Sequence, residues 1–132
     1  MKLNNLNNII VTDIQRPLIV HSEKGHRFQM KDRHSYGLSL CISGQITYTM
    51  NGKQYVSTPH NAVLLPQGGT YSLYGDKEGL FPVVNFKCDH FKSDELLVLP
   101  LKNARLCLEE FQTLKNAFLY KENHLHIYSI FY

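Results

Sequence analysis

The sequence predicts a mainly β protein, a sandwich or barrel with a helical appendage at its C-terminal end. Three observations carry that expectation. Between Tyr36 and Phe86 apolar and polar residues alternate with a period of two, rich in β-branched and aromatic side chains, as strands with one buried face require. Turn residues interrupt that stretch at intervals of about 8–12 residues, the spacing of short strands in a closed or two-layered sheet. Past Pro100 the apolar period lengthens to that of an amphipathic helix. With 132 residues, 43% of them hydrophobic and 19% charged, the chain has room for one domain and a small appendage around a modest core.

Residues 1–35 are polar, broken by the apolar pieces Ile9-Ile10-Val11 and Leu18-Ile19-Val20. They read as an N-terminal arm with one or two early strands of open register. Leu38, Leu40 and Ile42 then alternate with Ser39 and Cys41, and Ile46, Tyr48 and Met50 alternate with Thr47 and Thr49. Asn51-Gly52 tolerates the two positive φ angles of a type I′ turn, so the run Lys53-Gln54-Tyr55-Val56 returns as the second strand of a hairpin. Ala62-Val63-Leu64-Leu65 is a short apolar strand stopped by Pro66-Gln67-Gly68-Gly69. Tyr71-Ser72-Leu73-Tyr74 reads as a strand, Gly75-Asp76-Lys77-Glu78-Gly79 as a loop and Val83-Val84-Asn85-Phe86 as a further strand.

Ala104, Cys107, Leu108, Phe111, Leu114 and Phe118 form one helical stripe, with Arg105, Glu109, Gln112, Thr113 and Asn116 opposite. Leu106 falls on the polar side and Lys115 interrupts the apolar one. The helix is expected to end near Asn123, and the run from His124 to Tyr132 begins a second apolar element within which the chain stops. Natural domains seldom finish on such a run, so a longer protein is expected. Residues 1–100 would form the arm and barrel and residues 101–132 a helical segment.

The formal net charge is only +3, and no Lys/Arg block appears, so nothing provides the electrostatic footprint of strong nucleic-acid binding. Cys41, Cys88 and Cys107 are odd in number, widely spaced and form no CxxC; they read as small buried hydrophobes in a reducing compartment. The asparagine-rich start lacks the apolar core of a signal peptide, and no stretch approaches the roughly 18 apolar residues of a membrane span. The expected location is the cytoplasm.

Residues able to carry chemistry are few. His21, His26, His34, His60 and His90 are scattered, and His124 and His126 lie about 200° apart on a helix. None has zinc-ligand spacing, so no metal or other cofactor is expected. There is no GxSxG elbow, and Gly68-Gly69 precedes a strand rather than a helix N-terminus, which excludes a phosphate loop. No catalytic residue emerges. What remains is the barrel interior. Tyr36, Tyr48, Tyr55, Tyr71 and Tyr74 fall in the β region, where aromatic rings either line a cavity for a small ligand such as a sugar or pack with their hydroxyls at the surface. Arg33, just ahead of the first clear strand, either clamps a ligand's hydroxyls or carboxylate or is an ordinary surface arginine.

The segments Arg33-His34-Ser35-Tyr36-Gly37-Leu38-Ser39-Leu40-Cys41-Ile42-Ser43-Gly44, Thr47-Tyr48-Thr49-Met50-Asn51-Gly52-Lys53-Gln54-Tyr55, Val63 to Leu73 and Val84-Asn85-Phe86 resemble the N-terminal domains of AraC-family transcription regulators. The resemblance covers about residues 33–86, and the helical tail suits the family's dimerisation region. It implies a cupin-like double-stranded β-helix, or jelly-roll, barrel. The same stretch is similar to the two cupin motifs. When these are anchored on Gly52 and on Pro66-Gln67-Gly68, Leu38 and Leu40 stand at the paired histidine positions, Gln45 at the glutamate and Tyr71 at the last histidine. Such residues keep a pocket without a Lewis acid.

The resemblance implies a sensor: a homodimer that binds a small effector, plausibly a sugar, and controls DNA binding by a C-terminal helix-turn-helix domain absent from this chain. Expected ligand contacts are Arg33, Tyr36, Tyr48, Tyr71 and Tyr74. The expected dimerisation stripe is Leu108, Phe111, Leu114 and Phe118, shared between barrel and partner. Two rivals stand beside it, a stand-alone cupin metalloenzyme (isomerase or dioxygenase) and a ligand-free dimerisation module with a filled barrel.

Overall fold

The computed structural model describes residues 10–89 and 91–131, with side chains as far as Lys121. His90 and the side chains of His124 and His126 lie outside that range, as do residues 1–9. The strands are β1 Ile10–Ile14, β2 Leu18–Ser22, β3 Arg27–Met30, β4 Tyr36–Ser39, β5 Gln45–Met50, β6 Lys53–Ser57, β7 Asn61–Leu65, β8 Tyr71–Lys77, β9 Gly79–Asp89 and β10 Leu97–Pro100, followed by helix α1 Ala104–Phe131. They form two sheets. The larger runs β1-β9-β4-β7-β10, with β2 also paired to β9, and the smaller runs β3-β8-β5-β6. This is a mainly β, cupin-like two-sheet barrel with one C-terminal helix, as the sequence predicts.

The two sheets differ in pattern because they differ in what covers them. The smaller sheet faces solvent on its outer side, so β5 alternates strictly, with Ile46, Tyr48 and Met50 inside and Thr47 and Thr49 outside. The larger sheet is covered on both sides along its central strands β4 and β7, while β1 and β2 stay exposed. In β7, Val63 and Leu65 enter the barrel core while Ala62 and Leu64 face outward, so the strand is a continuous apolar run. Between the sheets, Tyr48, Tyr71, Phe81 and Leu96 meet Cys41, Ile46, Val63 and Leu65 in the main core cluster. The hairpin forms as expected: Asn51 and Gly52 take φ of 52° and 78°, and Tyr48 pairs with Tyr55.

Two sequence expectations need correction, and one strand was not anticipated. The stretch Gly75–Gly79 is mostly strand rather than loop, since β8 runs to Lys77 and β9 starts at Gly79. Glycine is required there by close approach: a Cβ on Gly75 would collide with the Glu23 carbonyl oxygen, and one on Gly79 with the backbone of Ser43. β10, built from Leu97-Val98-Leu99-Pro100, is an additional strand on the edge beside β7. Finally, the helix does not end near Asn123 but continues to Phe131. No glycine or proline follows Pro100, so nothing in the sequence breaks it.

The helix begins where its sequence allows. The Asn103 side chain accepts a hydrogen bond from the Leu106 amide at 3.0 Å, an N-cap that satisfies one otherwise free donor of the first turn. Phe111 is its buried anchor, packed with Leu40 and Ala62 on the outer face of the larger sheet, with Cys107 and Leu108 beside it. No helix among the described residues is long and apolar enough to cross a membrane.

Candidate functional site

One end of the barrel brings Arg33, Ser35, Tyr71 and Asn85 together. Here β8 begins, β7 ends in the Pro66–Gly69 turn, and the chain from Lys31 to Arg33 crosses between them. Asp32 takes a left-handed φ of 46°, and its amide donates to Thr70 Oγ1 at 3.1 Å. The Arg33 amide donates to the Gly69 carbonyl at 3.0 Å and the Gly68 amide to the Arg33 carbonyl at 2.6 Å. This clasp turns the Arg33 side chain inward, where it is only 8% exposed.

The buried guanidinium is held entirely by neutral acceptors. Its Nε donates to the Tyr71 hydroxyl at 3.2 Å, Nη1 to the Ser35 carbonyl at 2.7 Å and Nη2 to Asn85 Oδ1 at 2.6 Å. No carboxylate among the described residues pairs with it. Gly37 makes room: a Cβ there would sit 2.5 Å from Nη2 and 2.8 Å from Cζ. A charge withdrawn from water normally needs a counter-charge, and this one has none among the described residues.

Beside Arg33 the tyrosines are kept neutral. The Tyr48 and Tyr71 rings meet edge to face with centroids 5.6 Å apart. Burial pushes the Tyr48 phenol up to about 12, against the opposing pull of a Ser39 hydrogen bond and the Arg33 charge. Burial also raises Tyr71, although Arg33 pulls it the other way, and it lifts the Cys41 thiol to about 11. Because the folded phenol of Tyr48 holds its proton to higher pH than the unfolded one, its contribution to stability is complete below pH 10 and is lost as pH rises toward 12. By that linkage Tyr48 alone removes on the order of 1 kcal/mol of stability by pH 11. Urea denaturation at pH 8 and pH 11 checks this, and Tyr48→Phe should lose that much less than the parent between the two.

A cleft of about 450 Å³ opens at the same end of the barrel, lined by Tyr36, Met50, Gly69, Cys88, Phe91 and Lys92, among others. Its volume falls in the usual range for small-molecule sites. The Tyr36 hydroxyl donates to the Phe91 carbonyl at 3.3 Å, and its ring packs against Phe86 and Phe91. The Gly68–Gly69 wall of the cleft is the segment clasped to Arg33.

Of the predicted ligand contacts, the structure therefore brings Arg33, Tyr48 and Tyr71 together inside the barrel and sets Tyr36 in the adjoining cleft. Tyr74 stands apart. It is on the outer face of the smaller sheet, 38% exposed, with the Arg27 guanidinium 4.9 Å above its ring. Ser35, Gly37, Ser39 and Asn85 belong to the same polar cluster but were not singled out by sequence. The cupin register also shifts by one residue. Leu38 and Leu40 face outward toward α1, and Gln45 donates to Asp76 on the outer face of the smaller sheet, so the inward positions are Ser39 and Cys41. Among the described residues no three His, Cys, Asp or Glu side chains converge as a metal-ligand set. The stripe on α1 is divided: Phe111 is buried on the sheet, while Leu108, Leu114 and Phe118 are half-buried.

Comparison with solved structures gives the same fold. ToxT from Vibrio cholerae O395 superposes with a TM-score of 0.60 at 13% identity, over 78% of this chain and 46% of that one. Unsaturated-fatty-acid-bound ToxT from Vibrio cholerae strain SCE256 gives 0.58 at 15% identity, over 87% and 51%. The SPY1581 protein of unknown function from Streptococcus pyogenes gives 0.50 at 15% identity, over 61% and 75%. At such identities the likeness speaks for the fold alone, and the chain spans about half the length of these ToxT structures. No curated protein matches by sequence. Residues 18–123, most of the chain, match the family model of the AraC-like ligand binding domain, and the chain belongs to that family.

Proposed function

We propose that this domain senses a small organic effector for an AraC-type transcription regulator inside the cell, with the barrel of residues 1–100 binding the effector. Residues 101–132 would carry the homodimer contact, and DNA binding would belong to a helix-turn-helix domain outside this chain. The observation that supports the reading is Arg33: a buried guanidinium with neutral partners only, beside a cleft of ligand size. A regulator needs a ligand to bind one conformation more tightly than another, and an uncompensated charge is a strong source of such differential affinity.

Between the hydroxyls of a sugar and a carboxylate, the missing counter-charge favours the carboxylate. A neutral sugar could accept hydrogen bonds from Arg33 but would leave its charge uncompensated. Met50, Tyr36 and Phe91 in the cleft suit an apolar tail behind such a head group. ToxT, of the same fold, has been solved with an unsaturated fatty acid, which is compatible with an organic-acid effector here.

The test is a thermal-shift titration with decanoate, decanol and L-arabinose on the parent and on Arg33→Met. Decanoate is expected to raise the midpoint of the parent and to bind at least about tenfold more weakly to the variant, as loss of a charge-assisted contact implies. Equal stabilisation by decanol, or by decanoate in Arg33→Met, would remove Arg33 from the site. Stabilisation by arabinose alone would restore the sugar reading.

A further inference from the structure

The outer face of the smaller sheet carries a hollow of about 620 Å³, on the side away from Tyr48 and Tyr71. Alternation along β8 puts Ser72, Tyr74 and Asp76 on this face, and Arg27 of β3 and Thr47 of β5 stand opposite Tyr74 in the ladder. A solvated sheet face is ordinarily polar, so polarity alone says little. What distinguishes this face is how its two charges are held.

Arg27 and Asp76 both line the hollow, yet they form no ion pair with each other. Asp76 lies two residues beyond Arg27's partner Tyr74, so it is the diagonal neighbour of Arg27, about 7–8 Å away across the ladder. Each is fixed by neutral partners instead. The Arg27 guanidinium lies over the Tyr74 ring, 4.9 Å from its centroid, and its N–H donors have no acceptor among the described residues. Asp76 Oδ2 accepts from Gln45 Nε2 at 3.1 Å and from Thr47 Oγ1 at 2.6 Å, whereas Oδ1 has no donor among the described residues.

Two opposite charges, each held in place and each with unused bonding capacity, are complementary to a ligand that carries both signs. A neutral sugar would neutralise neither, and a simple anion or cation would be attracted by one and repelled by the other. In an α-amino acid the carboxylate and the ammonium group flank a single carbon. With a hydrogen bond of about 2.9 Å at each end, such a zwitterion bridges roughly 8 Å, the scale of the diagonal separation. The remaining polar lining is uncharged: the side chains of Gln29, Thr49, Gln54 and Ser72 have no partners among the described residues.

We propose that this face is a second ligand site, which takes a free α-amino acid with an uncharged polar side chain such as glutamine. Arg27 receives the carboxylate and Asp76 the ammonium group. Gln29 and Gln54 offer amides to the ligand's side chain. Tyr74, which faces away from the barrel interior, acts as the platform that fixes Arg27.

Amide chemical-shift titrations of the nitrogen-15-labelled 132-residue chain at pH 6.5 test this, and the same spectra report whether each variant is folded. The probes are L-glutamine, N-acetyl-L-glutamine, which lacks the ammonium charge, L-glutaminamide, which lacks the carboxylate, and D-glucose. L-Glutamine is expected to shift the amides of Thr47, Ser72 and Asp76 saturably. Arg27→Met, Asp76→Asn and either blocked ligand should each weaken binding at least about tenfold, as loss of a charge-assisted contact implies. Asp76→Asn should weaken N-acetyl-L-glutamine no further, because the acetyl group has already removed the charge that Asp76 meets. No saturation by L-glutamine at about 20 mM, far beyond a millimolar dissociation constant, overturns the proposal. So does binding indifferent to both variants, or N-acetyl-L-glutamine bound as tightly as L-glutamine. Saturation by D-glucose alone would make the hollow a site for neutral polyols and overturn the charge pairing.

Discussion

Phe111→Ala is expected to destabilise the domain by about 3–5 kcal/mol, the usual cost of truncating a buried aromatic residue. Phe111 is 6% exposed and seals the helix against Leu40 and Ala62. Its removal opens a cavity that the sheet cannot close, because β4 and β7 are hydrogen-bonded neighbours held in register. The same change should loosen α1 as a whole, since Cys107 and Leu108 depend on the same contact and an isolated helix is marginal in water. Urea denaturation followed at 222 nm is the measurement. Leu119→Ala, on a side chain 39% exposed, should cost less than about 1 kcal/mol. If the two variants were equally stable, the helix would not be docked as described. Phe111 would then be a partner contact, as the periodic stripe alone allows.

Gly37→Ala should have the second-largest effect, and it acts through Arg33. The new methyl group would stand 2.5 Å from Nη2, so the guanidinium must leave its position. A flexible arginine would normally yield cheaply, but this one donates to Tyr71, Ser35 and Asn85 at once. Hydrogen bonds from a charged group contribute about 1.5–3 kcal/mol each when broken inside a fold, and part is recovered if the side chain reaches water. A net loss of about 2 kcal/mol is therefore expected, together with loss of decanoate binding. The control is the pair Gly37→Ala with Arg33→Met. The shorter thioether leaves room for the methyl group, so the double variant should be more stable than the sum of the single effects predicts. Strict additivity would mean that the two residues do not meet.

How much of this could be read beforehand varies by sheet. The β5–β6 hairpin was legible because its outer face is solvated and Asn51-Gly52 is a turn with a mechanism. In β7 the run Ala62–Leu65 signals a strand but not its facing, since both sides are covered. That ambiguity explains the misplaced motif. Leu38 and Leu40 are the larger apolar residues and so appear to belong in the core, yet the interior is already occupied by Tyr48, Tyr71 and Phe81. It admits only the smaller Ser39 and Cys41. Tyr74 follows a simpler rule. It lies three residues from Tyr71 on one strand, and an odd spacing sends the two to opposite faces.

Arg33 was legible as a candidate but not as a buried cation. Its partners Tyr71 and Asn85 lie 38 and 52 residues away in the chain, and no local pattern announces such a meeting. The helix end shows the same limit from the other side. The polar stretch Lys121-Glu122-Asn123 resembles a stop, but without glycine or proline it is only a hydrophilic turn of a continuing helix.

Nuclear magnetic resonance of the nitrogen-15-labelled chain during addition of decanoate can locate the occupied surface directly. A saturable shift of the Arg33 Nε–Hε signal, accompanied by the amides of Gly37, Tyr71 and Asn85, would place the acid at the polar end of the barrel. A stationary Arg33 signal with shifts confined to Leu38, Leu64 and Val84 would instead put the ligand in a groove beneath the helix, and the sensing role assigned to the buried guanidinium would be wrong.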